Sequence, residues 1–173
     1  MRRTAILAAL LLAPPLAAQA NPGSVANLGV LSRMVGEWEG EAWTQRAEGR
    51  FSVRQQEWVA LEAGGTVLAI RGIGTLTQGG QSRVVHHAFA VIHQNHERTG
   101  IMMRAFTAEG HWLDPRIELT ANGYTWYMTD PRIGDIRYDM KIDDQGRWIE
   151  DGFFSRDQGK SWTQFMGMVL TKK

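Results

Sequence analysis

The stretch that decides the fold is IRYDMKI, residues 136–142. Apolar or aromatic residues occupy every second position, and the charged residues Arg137, Asp139 and Lys141 stand between them. A period of two places the two sets on opposite faces of a β-strand. The pattern therefore predicts a strand with one buried face and one face in water.

The same period extends in both directions from this stretch, interrupted by short turns rich in Gly, Asn and Asp. The turn at Asn122-Gly123 has the residue pair most typical of a tight hairpin. Nine further strands are predicted, at residues 36–42, 51–61, 66–76, 83–94, 101–107, 117–120, 124–129, 147–154 and 161–171. The chain is thus expected to be all-β, with about ten strands.

No segment after Val35 has the length and helical period that a crossover between parallel strands needs. Neighbouring strands should therefore pair antiparallel as an up-and-down meander, and closure into a β-barrel would remove the exposed sheet edges. A two-sheet sandwich is the alternative. Before the strands, Leu28, Leu31 and Met34 are spaced for a short N-terminal helix.

The amino terminus has the features of a secretory signal peptide. Arg2 and Arg3 precede an apolar run that ends in Ala18-Gln19-Ala20, and Pro14-Pro15 interrupts a stretch already short for a membrane span. Cleavage near Ala20 would leave a periplasmic or secreted protein without a stable membrane anchor. The predicted organisation is a signal peptide at 1–20, a lead segment and short helix at 21–34, and one barrel domain at 35–173.

Composition excludes several functional classes. The sequence has no cysteine, which removes thiol chemistry and disulfides, and 43% hydrophobic residues are enough to build a core. The formal net charge is +1, and loss of Arg2 and Arg3 would bring it to −1. So weak a charge gives no general attraction to nucleic acid or anionic lipid, and no nucleic-acid partner is predicted.

The five histidines do not have the spacing of a metal site. His87 and His93 stand six residues apart on one strand face, which is roughly 20 Å. No metal ion is therefore predicted. Adjacent His86 and His87 must point to opposite faces, and we expect His87 to point inward together with Val85, Phe89 and Val91. It would either contact a ligand or be satisfied by a hydroxyl or carbonyl group.

Three charged residues, Glu57, Arg71 and Arg104, stand inside otherwise apolar strands. A charge on an interior face needs a partner. Arg104 could hold the carboxylate or carbonyl group of a ligand by a forked hydrogen bond, or it could form an ion pair with Glu57 or another acid.

Residues 155–162, SRDQGKSW, resemble the Asp-box hairpin of sialidases and related β proteins. In that motif the Asp and hydroxyl side chains bind the backbone of the turn and the Trp packs beneath it. The resemblance implies a structural role in a hairpin and no catalytic residue.

The segment VGEWEG at 35–40, followed by the meander, resembles the start of calycin-like small barrels, which include lipocalins, fatty-acid-binding proteins and nitrobindins. The whole chain looks most like a bacterial secreted family of this type, a domain of unknown function. Nitrobindins bind haem through a histidine near the carboxy terminus, whereas no histidine follows His111 here. Haem is possible on such a fold but disfavoured, and no cofactor is predicted.

The leading functional prediction is an exported, non-enzymatic barrel that binds a small, mainly apolar molecule. The candidate ligand contacts are Trp38, His87, Arg104, Tyr138, Met140 and Met166. One alternative is an enzyme that uses Glu57, His87 or Arg104, although no hydrolase signature is present. The other is a filled barrel that serves as a protein-interaction module.

Overall fold

In the computed structural model, which describes residues 28–173, eleven strands form one antiparallel sheet. The strands are β1 (Gly36–Arg46), β2 (Gly49–Glu62), β3 (Val67–Gln78), β4 (Gln81–Gln94), β5 (Ile101–Thr107), β6 (Trp112–Leu113), β7 (Arg116–Leu119), β8 (Gly123–Asp130), β9 (Gly134–Ile142), β10 (Trp148–Ser155) and β11 (Thr163–Lys172). The predicted signal peptide, and residues 21–27 of the lead segment, lie outside the described residues.

Consecutive strands pair with each other along the sheet, with the single exception that β6 does not pair with β7. The first and last strands, β1 and β11, also pair. The ladder is interrupted only between β6 and β7, and β5 lies beside β7 at this opening. The sheet is therefore a curled half-barrel, and the prediction of an all-β, up-and-down barrel of about ten strands is confirmed. The additional strand is the two-residue β6, which is too short to show a sequence period.

The predicted N-terminal helix is reduced, within the described residues, to a single 3-10 turn at Leu31–Met34. Its three apolar residues lie on one buried face, as their spacing predicted: Leu28, Leu31 and Met34 are fully buried in the core. The Trp38 indole nitrogen donates to the Met34 carbonyl oxygen at 2.6 Å. No helix in residues 28–173 has the length and apolar character needed to cross a membrane.

The core forms on the inward face of the strands. Trp38 of β1 and Trp148 of β10, both 2% exposed, meet edge to face with ring centroids 5.8 Å apart. In β9 the inward residues are Ile136, Tyr138, Met140 and Ile142, as the alternation predicted. The two indoles join β1 to β10 through the interior, because a T-shaped aromatic pair packs well at this separation.

The Asp-box segment forms the predicted hairpin between β10 and β11. Asp157 accepts hydrogen bonds from Ser155 Oγ at 2.8 Å, from Ser161 N at 2.9 Å and from Ser161 Oγ at 2.6 Å. The Trp162 indole donates to the Gly159 carbonyl oxygen at 3.1 Å. Because these bonds favour the charged carboxylate, they lower the pKa of Asp157 to about 2.

We expect Asp157→Ala to lower the melting temperature at neutral pH, since it removes every hydrogen bond that this carboxylate accepts in the turn. The loss should shrink as the pH falls toward the pKa of Asp157, where the wild-type protein also loses the charged acceptor. Thermal unfolding across that pH range measures the effect. The neighbouring exposed Lys160→Ala serves as the control, and equal melting curves for the two variants would contradict the assigned role.

Candidate functional site

The inward faces of the strands line a partly open cavity of about 510 Å³. Its lining is largely apolar or aromatic, with contributions that include Val53, Ile70, Ala90, Met103, Trp126, Tyr138, Phe165 and Met166. The exposed residues Arg46, Val85 and His86 also line it and lie toward solvent. A cavity of this volume is in the range that holds a small organic molecule.

Glu57 of β2 brings a carboxyl group into this apolar space. The side chain is 7% exposed, and Gln55 Nε2 donates to its Oε1 at 2.8 Å. Burial raises the pKa of Glu57 to about 8; the hydrogen bond from Gln55 opposes the rise and the charge of Glu150 adds to it. Glu57 is therefore able to hold a proton at neutral pH.

The backbone of β3 makes room for this carboxyl group. Glu57 lies opposite Gly72 in the β2–β3 register. A Cβ atom at Gly72 would lie 2.6 Å from Oε1 and 2.8 Å from Oε2 of Glu57. Any side chain at position 72 would thus displace the carboxyl group, so the glycine is part of the site.

A second carboxyl group, Glu150 of β10, lines the same cavity. Burial raises the pKa of Glu150 to about 7, while hydrogen bonds from the indoles of Trp148 and Trp126 oppose the rise. The Trp148 Nε1 to Glu150 Oε2 distance is 3.3 Å. Tyr124, fully buried beside both acids, has its pKa raised by burial and by the charges of Glu150 and Glu57. The cavity therefore contains two acids that titrate close to neutral pH.

One wall of the cavity is aromatic. The rings of Trp126 and Tyr138 stack with centroids 4.1 Å apart, and Phe165 meets Tyr138 edge to face at 5.8 Å. Gly152 of β10 lies under the Tyr138 ring, where a Cβ atom would approach Tyr138 Cε1 to 2.9 Å. The wall offers flat apolar surface close to the acids.

A solved structure shares this fold. Rv2717c from M. tuberculosis superposes with a TM-score of 0.61 at 13% sequence identity, and the match covers 90% of this chain and 99% of that chain. No protein-family model matches the sequence, and no curated protein matches it significantly. The similarity confirms the barrel-like fold, while the calycin-like relation stays a prediction.

Four of the six predicted ligand contacts have inward side chains. Tyr138 and Met166 line the cavity. Trp38 and Met140 are buried in the core but are not among the residues that line it. Ligand contact by Tyr138 and Met166 stays a prediction, and contact by Trp38 or Met140 would need the core to open.

His87 does not point inward, which corrects the expectation for β4. Ala90 and Ile92 are buried, His86 and Ala88 share their phase and line the cavity, and His87 lies on the opposite face and does not line it. Both faces of β4 carry apolar side chains, so alternation alone does not determine its phase. Pairing with β3 determines it, and the register shift at Gly74/Thr75 separates the phase of Val84 from that of His86.

Arg104 also lies outside the cavity. Its Nε and Nη2 atoms donate to the two carboxylate oxygens of Asp114 at 2.6 and 2.5 Å, and its guanidinium group lies over the Trp112 ring. The side chain is 47% exposed. Of the two hypotheses for Arg104, the ion pair is the observed one, with Asp114 as the acid. Arg71 is likewise exposed and stacks on Trp58.

Sequence reasoning identified Glu57 as unusual but missed Gln55, Tyr124, Trp126 and Glu150. The available signal was weak: Gln55 and Glu57 share the phase of Val53 and Val59, which marks a polar pair on a core face. Glu150 precedes Asp151 directly, so the sequence does not show which acid is inward. Residues 28–173 contain no group of three or more His, Cys, Asp or Glu side chains arranged to hold a metal ion.

Proposed function

We propose that the protein is an exported, non-enzymatic binding protein for a small, mainly apolar molecule held inside the half-barrel. The cavity of about 510 Å³ carries this proposal. Most of its lining would contribute by excluding water from apolar ligand surface, and the few polar groups would orient the ligand. Export rests on the signal peptide predicted at residues 1–20.

The size of the cavity favours binding over the filled-barrel hypothesis, in which side chains would occupy the interior. The enzyme alternative has a specific observation in its favour, because carboxyl groups with pKa values of about 7 and about 8 suit acid–base catalysis near neutral pH. It would use Glu57 and Glu150, not His87 or Arg104, which lie outside the cavity. Native mass spectrometry separates the two functions: a binding protein returns its bound molecule unchanged, whereas an enzyme returns product.

The neutral fluorescent probe N-phenylnaphthylamine tests the cavity directly. We expect it to bind the wild-type protein with increased, blue-shifted emission. Ala90→Phe should weaken binding by at least about tenfold, because Ala90 lines the cavity and the added ring would occupy its volume. A fluorescence titration gives both dissociation constants.

Ala60→Phe adds the same ring on the outer, exposed face of β2 and is the matched control. Circular dichroism and urea unfolding should show that both variants are folded. Equal probe affinity for the two variants, or no binding to the wild-type protein, would contradict the proposed function.

A further inference from the structure

The two acids of the cavity have no cationic partner in the described part of the chain. Seven ion pairs join side chains within residues 28–173, and none includes Glu57 or Glu150. Glu57 is more than nine-tenths buried, lines the cavity, and accepts a hydrogen bond from Gln55 Nε2 on Oε1. A buried carboxylate without a counter-ion is unfavourable, which is why these acids retain a proton more readily than exposed ones; a cationic ligand would supply the positive charge that favours their charged forms.

The surroundings of the two acids are suited to a cation. Neutral donors hydrogen-bond both carboxyl groups: Gln55 donates to Glu57, and the indoles of Trp148 and Trp126 donate to Glu150. The stacked pair of Trp126 and Tyr138 lines the same cavity, and an aromatic face that stacking leaves uncovered attracts positive charge. A ligand carboxylate would instead add a third acid to this space, and a hydroxyl group would supply no charge to favour ionisation of the two acids.

We infer that the ligand carries a protonated amine on an apolar body, and that the amine binds between the carboxylates of Glu57 and Glu150. The apolar body would pack against Trp126, Tyr138 and Phe165. This inference rests on the proposed function and names the chemical class of the ligand.

Proton release on binding is the signature of this arrangement. The charged and titratable side chains that line the cavity are Glu57, Glu150, Tyr124, Tyr138, His86 and the exposed Arg46, whose guanidinium group lies over the Phe51 ring. The tyrosines stay neutral because burial raises the pKa of each. An ammonium group near the acids favours their charged forms and would lower the pKa of Glu57 and of Glu150 from about 8 and about 7. Amine binding would therefore weaken as the pH falls below these values.

Displacement of N-phenylnaphthylamine by three ligands with one alkyl chain tests the inference. At about pH 8.5 we expect decylamine to displace the probe at least about tenfold more effectively than decanol, with decanoate the weakest. At about pH 6 decylamine should bind at least about tenfold more weakly, while decanol should change by less than about threefold. At about pH 7, where the two acids still hold protons, calorimetry in buffers of different ionisation enthalpy should show proton release for decylamine only.

The double variant Glu57→Gln, Glu150→Gln should lose the preference for decylamine over decanol, with each ligand's affinity compared within the same variant. Glu62→Gln, an exposed acid at the end of β2, is the control that should keep the preference. If decanol equals decylamine at both pH values, the amine inference is overturned while the binding function stands. Failure of the probe and all three ligands to bind would overturn the binding function itself.

Discussion

The Glu57→Gln variant is expected to be more stable than the wild-type protein at about pH 9 and of similar stability at about pH 5. Burial raises the pKa of Glu57 to about 8 in the folded protein, whereas an unfolded chain releases this proton near the ordinary value of 4.5. The folded state therefore holds the proton more tightly, and wild-type stability is lost as the pH rises through this range. For Glu57 the loss is on the order of 4 kcal/mol.

A glutamine at position 57 has nearly the shape of the protonated acid and carries no charge at any pH. It should retain a hydrogen bond with Gln55, so the free energy of unfolding should stay within about 1 kcal/mol of wild type at about pH 5. Urea unfolding at several pH values measures the difference. The variant should still lose some stability as the pH rises, because the buried Glu150, with a pKa of about 7, also binds its proton more tightly in the folded protein.

Glu62→Gln removes an exposed acid from the same strand and should leave the wild-type pH dependence unchanged. Parallel curves for wild type and Glu57→Gln between about pH 5 and about pH 9 would mean that Glu57 ionises freely in the folded protein. That result would place water or a counter-ion beside the carboxyl group.

The second large effect is expected for Trp38→Ala, which should lower the free energy of unfolding by about 3–5 kcal/mol. The indole is 2% exposed, packs edge to face on Trp148 and donates to the Met34 carbonyl oxygen at 2.6 Å. Its removal would leave a hole between β1 and β10 and release the turn at Leu31–Met34. Denaturant unfolding monitored by circular dichroism gives the value.

Trp112→Ala is the matched control, since this indole is 59% exposed and its loss should cost less than about 1 kcal/mol. If Trp38→Ala does not fold, Trp38→Phe keeps an aromatic ring and isolates the lost hydrogen bond and part of the lost volume. A free energy of unfolding within about 1 kcal/mol of wild type for Trp38→Ala would show that this indole does not hold the two strands together.

The strand positions were predictable because they depend on local chemistry. Alternation at residues 136–142, the Asn-Gly turn before β8 and the Asp-box side chains each act over a few residues, and all three form as predicted. The two-residue β6 was missed because two residues are too few to show an alternating pattern. The predicted short helix is, within the described residues, a single 3-10 turn, because spacing alone does not distinguish one buried 3-10 turn from an α-helix.

By itself, the sequence determined the antiparallel meander. A period of two produces strands, and short turns between consecutive strands bring them side by side in opposite directions. Only the tertiary structure decided which residues face the cavity. In β4 both faces are apolar, and the pairing with β3, in which His86 lies opposite Gly74 and His87 opposite Ile73, placed His86 on the inward face and His87 on the outer one. The meeting of Glu57 and Glu150 in one cavity likewise depends on the curl of the whole sheet, because the two residues lie on strands separated by β1 and β11.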